Sequence, residues 1–292
     1  MIPPPGPHGG DGPDVAAALG LDPAEVVDLS LSLNPFAPAV AAIAVRHLHC
    51  VSRYPHRARA TAALADAMEV DPRRLVLTNG GSEAIALVSA AIGGTVASEP
   101  EFSLHPRRPG GPSWRSNPNN PTGRLAGPHE RAEVWDEAFY PLATGKWTRD
   151  DGAIVVGSLT KLFACPGLRL GYVLADDAEG LTAQQPAWPV NALALAVLPD
   201  LLALTDLGAW RDAIRSRRDV LAELLEARGY RPRAADAPWV LVEAPGLRDR
   251  LAVHGVVVRD CASFGLHGHV RIAVPDERGL ARLAEVLECA AP

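Results

Sequence analysis

Two rhythms of apolar and polar positions alternate along the chain. Short runs rich in Val, Leu and Ile read as buried strands, and longer stretches with apolar residues every three to four positions read as helices. A short helix is expected near 14–19. "VVDLSLS" (26–32) predicts a strand or extended segment, stopped by Asn34-Pro35, and helices follow over 38–49 and 58–69. "RLVLTN" (74–79) is a strand, "GG" a turn, "SEAIALVSAAI" (82–92) a helix and "GTVASEP" a candidate next strand. "AEVWDEAF", "AIVVGSLT" and "RLGYVLA" predict three more strands. From Asn191 to about Gly229 the pattern is helical, with a break near 205–208. The tail reads "WVLVEA" strand, "GLRDRLAVH" helix, "VVVRD" strand, "HVRIAV" strand, "ERGLARLAEVLECA" helix. Buried strands alternating with helices predict an α/β fold with a mostly parallel sheet, followed by a small α+β domain. The organisation expected is an N-terminal arm (1–37), a large domain (38–205) and a small C-terminal domain (206–292).

Composition narrows the function classes. Hydrophobic residues make up 48% of the 292 residues, enough for a sizeable core. The net charge of −6 argues against a nucleic-acid surface, which needs a basic face. No apolar run reaches the roughly 20 residues of a membrane span, and no signal core stands at the N-terminus. Cysteines at 50, 165, 261 and 289 have no metal-ligand or redox spacing, which fits a reducing cytoplasm. His47/His49 and His267/His269 lack supporting ligands, so no metal site is expected.

Four stretches carry candidate chemistry. "TNGGSEAI" (78–85) joins a strand to a helix through glycines, and a helix N-terminus there would present free N–H groups to a phosphate. The same joint could be only a turn. "NPNNPTG" (117–123) is rigid turn chemistry, an ordinary loop or a device for presenting Asn120 to a ligand. "WDEAF" puts Asp136 at a strand's carboxyl end, where ligands bind in open α/β sheets; it could pair with a cationic ring nitrogen or merely cap a helix. In "VVGSLTKLFACPGLRLGY", Lys161 follows a strand among small hydroxyls. Partly desolvated, such a lysine becomes a Schiff-base former; taken singly, a surface lysine is the blander reading.

In this order the stretches resemble fold-type I pyridoxal-phosphate enzymes. The likeness is to the histidinol-phosphate aminotransferase branch, and within it to the threonine-phosphate decarboxylases of cobalamin biosynthesis. "HGGD", "SLNPF", "RYPH", "DEAF", "SLTKLFACPGLRLGY" and "VVVRDCASFGLHGHVRIAV" carry it nearly end to end. The resemblance implies pyridoxal 5'-phosphate as cofactor, with Lys161 forming the Schiff base and Asp136 holding the pyridine nitrogen protonated. It implies Asn120 on the ring hydroxyl, and Gly80, Gly81, Ser82, Ser158 and Arg169 around the cofactor phosphate. Tyr54 would reach the phosphate of a partner subunit in a homodimer. His105 would stack on the cofactor ring. Arg271 would bind the substrate carboxylate, and His8, Gly9, Asn34, Asn120 and Arg259 the rest of a small phosphorylated amino acid.

Phe139 bears on the reaction. Many related aminotransferases carry a tyrosine there that donates to the ring hydroxyl, which phenylalanine cannot do. With "HGG" and the Arg259/Arg271 pair, this favours decarboxylation of O-phospho-L-threonine to aminopropanol phosphate over transamination of the histidinol-phosphate type. Two segments, 101–116 and 124–135, are too short for the helical connections the resemblance implies. At least one helix, with one or two sheet strands, is expected to be missing or reduced. A degenerate homologue that binds pyridoxal phosphate without turnover is a third reading.

Overall fold

The computed structural model describes residues 1–149 and 151–289. Ala290, the last residue of the expected C-terminal helix, lies outside them. The chain runs without regular structure to α1 (Gly12–Leu19), then β1 (Val27–Leu29), α2 (Val40–Val45) and α3 (Ala58–Met68). Next come β2 (Leu75–Asn79), α4 (Gly81–Ile92), β3 (Thr95–Val96), β4 (Ser113–Ser116), β5 (Val134–Asp136) and α5 (Tyr140–Thr144). They lead to β6 (Ile154–Gly157), α6 (Leu159–Leu162), β7 (Leu170–Leu174), α7 (Ala178–Ala183), α8 (Ala192–Ala203) and α9 (Leu207–Glu226). The C-terminal part holds β8 (Pro232–Arg233), β9 (Trp239–Glu243), α10 (Leu247–Ala252), β10 (Val256–Asp260), β11 (His269–Ala273) and α11 (Glu277–Cys289).

One sheet has the order β2-β7-β6-β5-β4-β3. β3 to β6 pair in parallel, and β7 is antiparallel to both its neighbours, so five strands point one way. Their carboxyl ends therefore collect along one edge, where open α/β sheets bind ligands. α3, α8 and the first half of α9 cover one face through Leu64, Leu198, Trp210 and Ile214. α4 and α7 cover the other through Ile85, Val88 and Leu181.

The second sheet has the order β1-β10-β11-β9-β8. The strand expected in the N-terminal arm belongs to it: β1 pairs in parallel with β10, Val27 opposite Val256. α9 joins the two halves, since Leu221 and Leu225 at its far end lie in the second core.

The shortened segments hold no helix. β3 is linked to β4, and β4 to β5, by loops alone, although parallel neighbours are usually joined through one. Trp135 on β5, fully buried, is flanked instead by the guanidinium groups of Arg149 and Arg115, 5.0 and 5.9 Å from its ring centre. Glu130 ties Arg115 and Arg124 together, at 2.8 and 2.7 Å. Arg149 donates to the carbonyls of Gly127 and Glu130. An arginine-laced loop covers the tryptophan where a helix would lie.

Candidate active site

The strand ends bring together the groups of a candidate phosphate cradle. β2 leaves the sheet at Asn79 and turns at Gly80, whose φ of 82° suits glycine, into α4. A side chain at Gly80 would collide with Arg169 Nη2, and one at Gly81 would press on Ser158. Arg169 Nη2 donates to Ser82 Oγ at 3.0 Å. Gly80, Gly81, Ser82, Ser158 and Arg169 thus converge at the first turn of α4, where the helix dipole favours an anion. Gly171, which the sequence reading passed over, lets the turn close: a Cβ there would strike the backbone of Gly80 and Gly81. The charge and donors of this cradle suit the phosphate of pyridoxal phosphate.

Lys161 stands on α6, one turn beyond β6. Of the chain's 28 lysines and arginines only Lys146 and Lys161 are lysines, a signal the motif reading did not use. Arginine cannot form a Schiff base at its guanidinium, so a lysine kept at this strand end is chemically pointed. Nζ donates to the carbonyl of Leu31 at 3.0 Å. Burial, with the guanidinium groups of Arg271 and Arg169, brings its pKa down to about 8.

Asp136 ends β5, and its Oδ1 accepts from Ala138 N–H at 3.0 Å. Its Oδ2 lies 2.9 Å from His105 Nε2. His105 thus sits directly beside the carboxylate that ends β5. Its side chain has no exposed surface and packs edge-on to Phe102, with ring centres 5.8 Å apart. Its Nδ1 faces Glu101 Oε2 at 3.5 Å. Burial works against the imidazolium, but the hydrogen bond to Asp136 and the nearby Glu101 carboxylate outweigh it and raise the pKa to about 9. Glu101, also missed, is buried and accepts from the Ser116 N–H and hydroxyl. Ser116 Oγ in turn accepts from Asn120 N–H at 2.8 Å. A buried polar chain thus runs from Asp136 to Asn120.

The small sheet brings two arginines. Arg259 and Arg271 stand directly opposite each other on β10 and β11. Both are buried, and among the described residues neither has an ion-pair partner. Arg271 donates to Asn120 Oδ1 at 2.5 Å and to Ser30 O at 3.2 Å, and lies 4.7 Å from the Trp239 ring centre. Phe139 packs edge-on against that tryptophan, so an aromatic pair props the guanidinium. Burial lowers the Arg271 pKa to about 10. Arg259 donates to the carbonyls of Gly6 and Pro7 at 2.6 and 2.5 Å and to Ser263 Oγ at 2.7 Å. It thereby ties down the arm just before His8 and Gly9. Gly9 sits against Ser30 and Arg259, and His8 Nδ1 is 3.4 Å from Ser103 Oγ.

Asn34 is buried beside Lys161, but its Nδ2 donates to Leu162 O at 2.9 Å and its Oδ1 accepts from Phe36 N–H at 3.0 Å. Its amide braces the lysine's turn. Tyr54 is 77% exposed and stacked on Trp188 at 4.3 Å.

Comparison with known proteins places this arrangement. Residues 114–287, more than half of the chain, match the family model "Aminotransferase class I and II". Threonine-phosphate decarboxylase of Salmonella typhimurium is 29% identical, with 98% of each chain covered. Its alignment runs over 358 positions, more than this chain's 292 residues, which accords with the shortened connections. Histidinol-phosphate aminotransferase of Halobacterium salinarum is 27% identical, with 94% of each covered. Among solved structures, histidinol-phosphate aminotransferase of Sinorhizobium meliloti in complex with pyridoxal-5'-phosphate superposes with a TM-score of 0.82 at 17% identity, over 96% of this chain and 95% of that one. L-threonine-O-3-phosphate decarboxylase of Porphyromonas gingivalis gives 0.77 at 21% identity, over 90% and 99%. The chain belongs to the class I and II aminotransferase family and is a pyridoxal-phosphate-dependent enzyme of fold-type I.

Proposed function

We propose that the protein decarboxylates O-phospho-L-threonine to aminopropanol phosphate, a step of cobalamin biosynthesis. The observation that carries this reading is the Arg259–Arg271 pair: two buried guanidinium groups side by side, neither ion-paired among the described residues, suit a substrate with two anionic groups. Histidinol phosphate has no carboxylate. Bound pyridoxal phosphate supplies an electron sink at the substrate's Cα. In this reading the Gly80–Ser82 turn, Ser158 and Arg169 hold its phosphate, Asp136 its ring nitrogen and Asn120 its ring hydroxyl. Arg271 and Arg259 fix the substrate's carboxylate and phosphate, with His8 and Gly9 closing over them. Asn34 keeps the Lys161 turn in place. Lys161, with its depressed pKa, returns a proton to Cα near neutral pH.

Transamination is the second reading, favoured by the several relatives named histidinol-phosphate aminotransferase. There Lys161 would remove the Cα proton instead. The discriminating experiment gives the cofactor-loaded protein O-phospho-L-threonine and measures carbon dioxide and aminopropanol phosphate. A parallel assay offers histidinol phosphate with 2-oxoglutarate. Carbon dioxide release supports decarboxylation, keto product in the second assay overturns it, and neither product points to a binding-only protein. Lys161→Ala is expected to abolish the visible absorbance of the Schiff base. Arg271→Gln is expected to keep that band while lowering kcat/KM by about 10²–10³.

The reading includes a cytoplasmic homodimer. Val45, Leu48, Val51, Tyr54 and Trp188 are all exposed. Trp188, on which Tyr54 stacks, lines an open cleft of about 1090 Å³ together with His56, Arg57, Arg73 and Gln185. A second copy seated there would cover this apolar rim and carry Tyr54 toward its partner's cradle. Four unpaired cysteines fit a reducing compartment.

A further inference from the structure

The segment "SLSLN" (30–34) holds Lys161 from two sides. Lys161 Nζ donates to Leu31 O at 3.0 Å, and among the described residues nothing else accepts a hydrogen bond from it. Two residues after Ser32, Asn34 N–H donates to the backbone carbonyl of Lys161 at 3.1 Å, and Asn34 Nδ2 to that of Leu162 at 2.9 Å. Ser32, between the two grips, has no exposed surface and a φ of 48°, in the left-handed region that non-glycine residues rarely adopt. Among the described residues its hydroxyl has no hydrogen-bond partner. The left-handed conformation is therefore not explained by a side-chain hydrogen bond; its visible consequence is geometric. Rotation about the N–Cα bond of Ser32 sets the direction of the Leu31–Ser32 peptide relative to Asn34. With Asn34 anchored, an ordinary negative φ would swing the Leu31 carbonyl away from Nζ.

We propose that Ser32 is a positioning residue for Lys161, its left-handed backbone holding the Leu31 carbonyl against the ammonium. This rests on reading Lys161 as the cofactor-binding amine. The carbonyl favours the protonated lysine and so helps set the pH at which the neutral nucleophile appears. The charged groups facing Lys161 act both ways: Arg271 on β11 and Arg169 before β7 disfavour the ammonium, Asp28 on β1 and Asp136 on β5 favour it. The Leu31 carbonyl adds to the second side.

The test reads lysine ionisation without cofactor or turnover. The cofactor-free protein is methylated with formaldehyde and cyanoborohydride at graded pH, and Lys161 is followed by peptide mass spectrometry. Exposed Lys146, the other lysine, is the internal standard. Ser32→Gly keeps the left-handed region open, and Ser32→Ala removes only the unpartnered hydroxyl; both are expected to match the unaltered chain. Ser32→Val drives φ toward extended values. There the Lys161 midpoint is expected to fall by about one pH unit as the ammonium loses its acceptor, with Lys146 unmoved. An unchanged midpoint in Ser32→Val, or an equal fall in Ser32→Ala, overturns the proposal. Where Ser32→Val does not fold, Ser32→Thr is read against Ser32→Asn, which tolerates the left-handed region; equal midpoints in that pair overturn it. Loss of the Schiff-base band is read separately by absorbance and bears on the cofactor assignment alone.

Discussion

The two ends of the large sheet are built differently. At β2, β6 and β7, helices α3, α4 and α8 pack on the strands, and the cradle and Lys161 sit on close-packed aliphatic layers. At β3, β4 and β5 the strands are two to four residues long and loops replace the helices. Yet Asp136 and Asn120, which belong to that weaker end, stand level with the rest. Ser116, Asp136 and Val156 are register partners across three parallel strands. Strand pairing alone carries the carboxyl ends into line. What the absent helices would otherwise supply, cover for the sheet faces, comes from Trp114 and Trp135 and the groups laid over them.

That contrast is broken most severely at Trp135. If the loop-covered end depends on one tryptophan, Trp135→Ala should cost about 3–5 kcal/mol, as large-to-small changes at buried aromatics do. A urea titration measures it. A loss under about 1 kcal/mol would mean that pairing with β4 and β6 suffices by itself.

His105 gives the next largest effect, and it depends on pH. Its folded pKa of about 9 lies above the ordinary value of 6.5, so its stabilising contribution is complete below pH 6.5 and is lost as pH rises through about 9. His105→Gln removes the titration and leaves Asp136 and Glu101 without their cation. The stability gap between the unaltered chain and His105→Gln should therefore be widest near pH 6 and shrink by pH 9.5, read from urea midpoints at both. A gap that widens with pH would place a neutral imidazole between the carboxylates.

Legibility followed the same division. The glycine turn into α4 was readable because it is local: strand, two glycines and helix lie within "RLVLTNGGSEAIALVSAAI", and the lysine's own turn lies within "VVGSLTKLFACPGLRLGY". The contacts of His105 were not legible because its partner is 31 residues away and its neighbour Glu101 looks like any loop acid. Nothing local shows that Arg259 would reach back 253 positions to the Gly6 carbonyl, or that β1 would leave the arm for the C-terminal sheet. The shortened connections were legible as lengths. That arginines would fill the space of a helix was not, since Arg115, Glu130 and Arg149 read singly as solvated surface.

The smallest effect tests how that arginine layer works. Glu130 accepts from Arg124, the Gly127 N–H and Arg115, which together hold its carboxyl far below the usual range. The group is nonetheless near the surface, and exposed ion pairs contribute little once solvent screening and side-chain entropy are counted. Glu130→Ala should then cost only about 0.5–1 kcal/mol, less in 1 M salt, while Trp135 stays covered because Arg149 is held separately by backbone carbonyls and Asp151. Fluorescence quenching by iodide reports on tryptophan exposure. Quenching unchanged in Glu130→Ala would mean the arginine stems shield the ring by packing, as long cationic side chains do over apolar surface. A strong rise in quenching would make Glu130 the keystone of the layer and the loop-covered end an electrostatic structure.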